Sequence, residues 1–305
     1  MILEYKICEN GQNMSVKDVL KKKFKLSNRL ITKLKLNNKI FMDDKVAYVN
    51  NIPNIDSTIK VYIDFEETDN TKPQKGELEI LYEDEYFLAV NKPADMVVHP
   101  CSYHQENTLA NYVKYYLNNN RKIRPINRLD NGTSGIVLFA KNEYVQELFK
   151  NLDKRPDKEY IALVYGTFEN KEDRISLPIA RKPNSIIERE VNFRSGQESI
   201  TNYKVIKETN LYNIPVTIVS ILLETGRTHQ IRVHMNYLGH SLVGDTLYID
   251  NKIEAYLKEN DINLNTEFPS QALHAYKLSF IHPITKIKIE IEAPIPKNIY
   301  NIVKD

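Results

Sequence analysis

The stretch INRLDNGTSGIVLFA (residues 126–140) joins a polar turn to an uninterrupted apolar segment. Its Asn, Gly, Thr and Ser residues favour a turn whose backbone can approach a ligand, and IVLFA predicts a buried strand. Asp130 therefore lies at the lip of a strand, and the next acid along the chain is Glu143. Arg128 and Asp130 point the same way if the segment is extended. The pattern fits either a functional carboxylate beside an arginine or a structural Asx-turn aspartate.

Charge is distributed unevenly along the chain. The 305 residues are 42% hydrophobic, which suffices for a catalytic domain and a small appendage, and the net charge is only +2. Residues 15–45, however, contain ten Lys or Arg and three acids, a net +7 that leaves −5 for the rest. This asymmetry indicates that one end binds a polyanion. The alternative is a solvated pair of lysine-rich helices.

Cysteine usage and hydropathy predict a cytoplasmic protein without membrane contact. Cys8 and Cys101 are too few for a disulfide framework, so we expect reduced thiols. The start, MILEYKICENG, lacks the basic-then-apolar order of a signal peptide. The longest apolar stretch, IPVTIVSILL (residues 214–223), is too short to span a bilayer and predicts a buried strand.

The basic segment predicts two short helices followed by a hairpin. Ser15 and Ser27 can cap the helices, and KIFMDD and VAYVNN read as short strands before TIKVYIDF (residues 58–65). This order resembles the small RNA-binding domain named after ribosomal protein S-four, the alpha-L motif, over residues 14–63. The basic side chains expected to contact RNA are Lys21, Lys22, Lys25, Arg29, Lys33 and Lys35.

The polar stretch EETDNTKPQKGE (residues 66–77) predicts a linker between a first domain, residues 1–65, and a larger one, residues 78–305. The larger domain has several strand-like segments and fewer helical ones. This composition predicts an α+β fold with a mixed, mainly antiparallel sheet, preceded by a small α/β domain.

A second polar stretch, ETGRTHQIRVHMNYLGHSLVGDTLY (residues 224–248), predicts a helix that Thr228 caps and Gly239 ends. His229 and His234 are five residues apart, a spacing that diverges on a helix and on a strand, so we expect no metal site. The arginines of the stretch indicate anion contacts, with surface solvation as the alternative; they are Arg227 and Arg232.

Tyr160, in RPDKEYIALVYG (residues 155–166), lies in a predicted strand with an apolar inward face. It is either a core residue or a stacking platform for a base. The chain has no GxxxxGK loop, no GxGxxG and no GxSxG elbow, so no organic cofactor is expected.

Five segments in order resemble the motifs of the RluA-type family of RNA pseudouridine synthases. The match spans residues 78–296, and together the motifs are highly specific. A basic alpha-L domain in front is the usual arrangement of members that modify ribosomal RNA. The segments are NKPADMVVHP, INRLDNGTSGIVLFAKN, KEYIALVYG, ETGRTHQIRVHM with LGHSLVGDTLY, and QALHAYKLSFIHP.

The resemblance implies a role for each matching residue. Asp130 aligns with the catalytic aspartate, Arg128 with the arginine that helps to turn the uridine out, and Tyr160 with the tyrosine that stacks on the uracil and is suited to proton transfer. Arg232 aligns with the arginine that ion-pairs with the aspartate. Further candidates for RNA contact are Asn127, Thr133, Arg227 and His229.

Asn127 departs from the family, whose motif usually has His at this position. Asn keeps hydrogen-bonding groups but cannot take a proton near neutral pH. We expect activity to survive, with a change in RNA contact or in the fit of the turn.

The resemblance therefore implies a monomeric isomerase that converts uridines of large-subunit ribosomal RNA to pseudouridine without metal or cofactor. A single carboxylate fits this reaction, whereas a glycoside hydrolase usually needs two. The alternatives are a ribosome-assembly factor without turnover, a transfer-RNA synthase and an N-glycosidase.

Overall fold

A computed structural model describes residues 1–9, 13–64, 69–118 and 122–304, with side chains to residue 302. Across these ranges no helix is long and apolar enough to cross a membrane. Two units follow one another along the chain, a small N-terminal unit and a larger sheet-based unit.

The two helices of the N-terminal unit begin after Ser15 and Ser27, the caps that the sequence predicts. The Ser15 hydroxyl accepts the backbone N–H of Asp18, whose carboxylate in turn accepts the backbone N–H of Ser15, and the Ser27 hydroxyl accepts the N–H of Leu30. Both are N-caps that satisfy an otherwise unpaired donor. In chain order the elements are β1 (Ile2–Lys6), α1 (Val16–Lys22), α2 (Asn28–Leu36), β2 (Ile40–Met42), β3 (Lys45–Val46) and β4 (Thr58–Tyr62).

The four strands form one antiparallel sheet in the order β1-β4-β2-β3, and the two helices pack on it. The predicted order of two helices and a hairpin is present, while β1 was not predicted. The likeness of this unit to an alpha-L domain stays a prediction. The buried apolar side chains that join helices to sheet include Val19, Leu20, Leu30, Leu34, Ile59 and Val61.

The larger unit is rich in strands, as the apolar alternation predicts. Its first half contains β5 (Glu79–Glu83), β6 (Phe87–Lys92), α3 (Leu109–Tyr116), β7 (Arg124–Pro125), β8 (Ser134–Ala140), α4 (Glu143–Lys150) and β9 (Asp157–Tyr165). The second half contains β10 (Glu172–Ser176), β11 (Ile179–Arg181), β12 (Arg189–Val191), β13 (Ile200–Leu211), β14 (Ile214–Leu223), α5 (Gln230–Tyr237), α6 (Asn251–Glu259), β15 (Leu273–Ile281), β16 (Lys288–Glu292) and α7 (Lys297–Lys304).

One long sheet runs in the order β10-β13-β14-β9-β15-β8-β6-β5, with β16 beside β15 and β7 beside β8. Among the described strands of this sheet, every pairing is antiparallel except that of β8 with β15. This arrangement confirms the α+β class and places β9, β15 and β8 side by side at the middle. The hairpin β11–β12 and helix α6 were not predicted. Each strand of the hairpin has only three residues, too few to show a period, whereas α6 has apolar residues at helical spacing, Ile253 and Leu257, that were overlooked.

The predicted linker lies partly outside the described residues, which omit 65–68. Its described part, residues 69–77, runs against the larger unit. Asp69 accepts a hydrogen bond from Lys114 Nζ at 2.6 Å and another from the Ile123 backbone N–H at 3.0 Å. Lys114 is buried, so this ion pair holds the segment against α3.

The N-terminal unit docks on α4. Tyr144 and Leu148 of α4 belong to the same buried apolar cluster as α1 and α2. Polar contacts surround this cluster: the Ser27 hydroxyl donates to Glu147 Oε1 at 2.6 Å, and Lys33 Nζ lies 3.0 Å from Glu143 Oε2. Because apolar burial and charge pairing act together, we expect the two units to unfold cooperatively.

The substitution Leu148→Ala tests this docking. Removing a buried leucine from a packed interface should lower the free energy of unfolding by about 2–5 kcal/mol. Urea unfolding measures the change, with Lys150→Ala as the control because Lys150 is an exposed residue of the same helix. Equal midpoints for the two variants would contradict the proposed coupling.

Candidate active site

The turn that carries Asp130 is held by close backbone packing. Thr133 donates its backbone N–H to the carbonyl of Asp130 at 3.1 Å, and Thr133 is buried. Gly135 follows with φ +109°, and a Cβ there would lie 2.3 Å from the Ala275 carbonyl oxygen. Only glycine fits both constraints, so β8 can begin directly against β15. The Asp130 side chain keeps 29% exposure at the end of this turn.

Lys92 ties the end of β6 to the same turn. Its side chain is fully buried, and Nζ donates to the carbonyls of Pro93, Met96 and Asn131 at 2.7–2.8 Å. Burial lowers the pKa of Lys92 to about 7, opposed by the charges of Asp95 and Asp130. Three acceptors match the three N–H groups of an ammonium, so Lys92 fixes the backbone next to Asp130. This role was not apparent from the sequence.

Arg232, on α5, lies between two aspartates. Its Nη1 is 3.5 Å from Asp130 Oδ2, while Nε and Nη2 donate to the two carboxylate oxygens of Asp245 at 2.6 and 2.8 Å. The structure thus brings Arg232 to Asp130, as the resemblance implies, but gives it a second and tighter partner. Asp245 was missed, although a buried arginine demands a carboxylate partner.

Tyr160 lies on β9, is 9% exposed and lines the site. Burial and, to a smaller extent, the charge of Asp130 raise the pKa of Tyr160 well above its usual range. The phenol therefore stays protonated near neutral pH. Tyr160 belongs to the apolar cluster of Ile231 and Leu273, so both interpretations of this residue, core and stacking surface, fit its position.

The start of α5 differs from the prediction. His229, not Thr228, is the residue before the helix, and it adopts the left-handed conformation with φ 57°. Thr228 is exposed and does not cap, because the side chain of Gln230 closes the loop instead. Gln230 Oε1 accepts the backbone N–H of Arg227 at 3.0 Å and lies 2.9 Å from Thr225 Oγ1. The predicted end of the helix is confirmed, since Gly239 follows it with φ 85°.

These residues surround a pocket of about 70 Å³, lined among others by Arg128, Asp130, Tyr160, His229 and Arg232. Within the described ranges, Asp130 is the one carboxylate that lines it. Thr133 and Arg227 also line this pocket. It therefore combines one partly exposed acid with arginine side chains and an aromatic ring.

A larger groove of about 1050 Å³ leads from Asp130 to the N-terminal unit, where Arg29 lines its far end. Arg29 and Lys33 also lie near the buried Glu143, at 3.7 and 3.0 Å. The remaining basic candidates project into solvent away from the lining of the groove. They are Lys21, Lys22, Lys25 and Lys35.

Asn127 contacts the backbone of β8. Its Nδ2 donates to the Ile136 carbonyl at 2.9 Å, and its Oδ1 accepts the Leu138 N–H at 2.8 Å. Both polar groups of the amide are therefore engaged in fixing the chain before Asp130. This geometry supports a role in the fit of the turn.

The two histidines of this stretch, His229 and His234, lie in different surroundings. His234 is buried, with Nδ1 2.9 Å from Thr201 Oγ1 and Nε2 3.0 Å from the Leu177 carbonyl. His229 faces the pocket. In the part of the chain that the structure describes, no group of three or more His, Cys, Asp or Glu could hold a metal ion.

Comparisons with known proteins identify the family. Residues 86–237 match the family model described as RNA pseudouridylate synthase. The uncharacterized RNA pseudouridine synthase YhcT of Bacillus subtilis (strain 168) is 36% identical over 252 residues, 80% of this chain and 78% of that protein. The ribosomal large subunit pseudouridine synthase D of Buchnera aphidicola is 38% identical over 237 residues, 76% of this chain and 74% of the relative.

A solved structure, that of human RNA pseudouridylate synthase domain containing 1, covers 75% of this chain and 86% of its own with a TM-score of 0.58 and 26% identity. The sequence motifs, the fold and these relatives agree. The chain belongs to the RluA-type family of RNA pseudouridine synthases.

Proposed function

We propose that this protein converts specific uridines of large-subunit ribosomal RNA to pseudouridine, with Asp130 as the catalytic carboxylate. The observation that carries the proposal is the pocket lined by one carboxylate in the described structure, beside Arg232 and Tyr160. A glycoside hydrolase usually needs two carboxyl groups, one to protonate the leaving group and one to activate water or attack the sugar, so this pocket suits isomerisation better than hydrolysis.

The reaction breaks the bond between ribose C1′ and uracil N1 and makes one between C1′ and C5. The C5 proton leaves and N1 gains a proton, so the product has the mass of the substrate. Cleavage leaves positive character on the ribose, which a carboxylate can stabilise or attack. Asp130 fits either route, because its side chain is partly exposed and held at the pocket wall.

The neighbouring side chains receive the extruded base. Flipping a uridine costs a few kcal/mol, which stacking and a cationic side chain offset. Tyr160 lines the pocket, where its ring can stack on the uracil, and its raised pKa keeps it a hydrogen-bond donor. Arg128 is exposed at the mouth, where it can occupy the space that the uridine leaves.

Ribosomal RNA is the favoured substrate for two reasons. The Buchnera relative is named for the large ribosomal subunit. The N-terminal unit, which we propose to be an alpha-L RNA-binding domain, lies with its Arg29 at the far end of the groove that leads to Asp130. A transfer-RNA substrate is the alternative, and pseudouridine mapping of total RNA from a deletion strain distinguishes the two.

The substitution Asp130→Asn should abolish turnover and leave RNA binding intact. Losing the carboxylate removes the stabilisation of the ribose, so the rate should fall by about 10³-fold or more. Tritium release from RNA labelled at uracil C5 measures turnover, and filter binding measures Kd. Asp153→Asn, an exposed residue outside the pocket, is the control. Normal tritium release by Asp130→Asn would refute the catalytic role of Asp130. Free uracil in the wild-type reaction would indicate an N-glycosidase.

Replacing Lys21, Lys22 and Lys25 together by Gln should weaken RNA binding and reduce its dependence on salt. Removing one lysine–phosphate contact lowers the slope of log Kd against log salt by about 0.7–0.9. The control replaces three exposed lysines of the larger unit by Gln, which removes the same total charge; they are Lys252, Lys258 and Lys288. Equal slopes for the two triple variants would show that the N-terminal lysines do not contact RNA.

A further inference from the structure

His229, the residue before α5, has an uncommon backbone conformation. Its φ of 57° and ψ of 19° lie in the left-handed region, which residues other than glycine seldom occupy. Such conformations concentrate at sites where a side chain must be aimed. Here the imidazole is aimed into the pocket that contains Asp130.

Tyr248 determines which nitrogen of His229 carries the proton. The Tyr248 hydroxyl accepts the backbone N–H of Arg189 at 2.8 Å and lies 2.8 Å from His229 Nδ1. Burial raises the pKa of Tyr248, so the hydroxyl keeps its proton. Within the described contacts, Nδ1 is the acceptor available to that proton. The neutral imidazole therefore carries its hydrogen on Nε2.

The Nε2 atom faces the catalytic carboxylate. It lies 3.8 Å from Asp130 Oδ2, the same oxygen that Arg232 Nη1 approaches at 3.5 Å. Burial lowers the pKa of His229, and so do Arg232 and Arg189, while Asp130 and Asp245 act against them. Near neutral pH the group is thus an uncharged N–H donor and has no free lone pair toward the substrate.

His229 Nε2 and Arg232 Nη1 both approach the same oxygen of Asp130, Oδ2. In the described structure no donor contacts Asp130 Oδ1, so that oxygen remains available for the ribose C1′. Two donors on one oxygen would fix the rotation of the carboxylate and present the other oxygen to the substrate.

We propose that His229 is a positioning residue for Asp130: its Nε2–H hydrogen-bonds Oδ2 in the RNA complex, and Tyr248 holds the required tautomer. The inference rests on the proposed synthase activity. It also connects the hairpin β11–β12 to the reaction, because the chain of contacts starts at the backbone of Arg189 on β12 and ends at Asp130.

Two substitutions at position 229 separate this role from a structural one. Gln places a side-chain N–H near the position of imidazole Nε2, whereas Asn keeps an acceptor for Tyr248 but reaches no further than Nδ1. Asn also tolerates the left-handed backbone better than Gln. A structural role would therefore favour Asn, and the positioning role favours Gln.

The experiment compares wild type, His229→Gln and His229→Asn by tritium release from uracil-labelled RNA, with Kd and its salt dependence measured in parallel. We expect His229→Asn to lower kcat by about 100-fold at unchanged KM and Kd, as for the removal of one preorganised donor. His229→Gln should recover at least about tenfold of that loss, a difference of ~1.4 kcal/mol in the barrier.

Equal kcat values for the two variants, or a higher one for Asn, would overturn the positioning role. A loss confined to Kd with a smaller salt slope would overturn it in favour of a phosphate contact. No tritium release by the wild-type protein would instead refute the synthase activity itself, so the two failures are distinguishable.

Discussion

The buried ion pair between Arg232 and Asp245 is the interaction on which the site depends. Asp245 is 1% exposed and accepts two hydrogen bonds from the guanidinium and two from the backbone N–H groups of Leu247 and Tyr248. An isolated buried charge would be costly, but here each charge finds its partner and its hydrogen bonds. With Nε and Nη2 held in this way, Nη1 is left in a fixed position facing Asp130.

This division of contacts holds the Asp130 carboxylate and leaves it free for the reaction that we propose. A bidentate pair with Arg232 would cover both oxygens of Asp130 and leave neither for the ribose. The structure gives the bidentate geometry to Asp245 and a single contact of 3.5 Å to Asp130. Arg232 therefore orients the proposed catalytic acid without occupying both of its oxygens, and Asp245 provides the rigidity that this orientation needs.

Local sequence patterns predicted much of the fold and the polar turn at Asp130. Caps such as Ser27 and the apolar strands are set by nearest neighbours in the chain, so they can be recognised without a structure. Asp245 and Tyr248 could not be assigned in this way, because their partners are brought to them by the packing of α5 against the following loop. Thr228 was wrong as a cap for a related reason: Gln230 competes for the same loop and is placed by contacts with β13.

Asn127 has both polar groups of its side-chain amide engaged in hydrogen bonds. A neutral imidazole offers one donor and one acceptor, and so does the part of the Asn amide used here. In this chain the donor meets the Ile136 carbonyl and the acceptor meets the Leu138 N–H, which locks the residues before Asp130 onto β8. These two contacts require one hydrogen-bond donor and one acceptor at this position. Asn satisfies that requirement at any pH, because its amide does not titrate, and the turn beneath Asp130 is held independently of protonation.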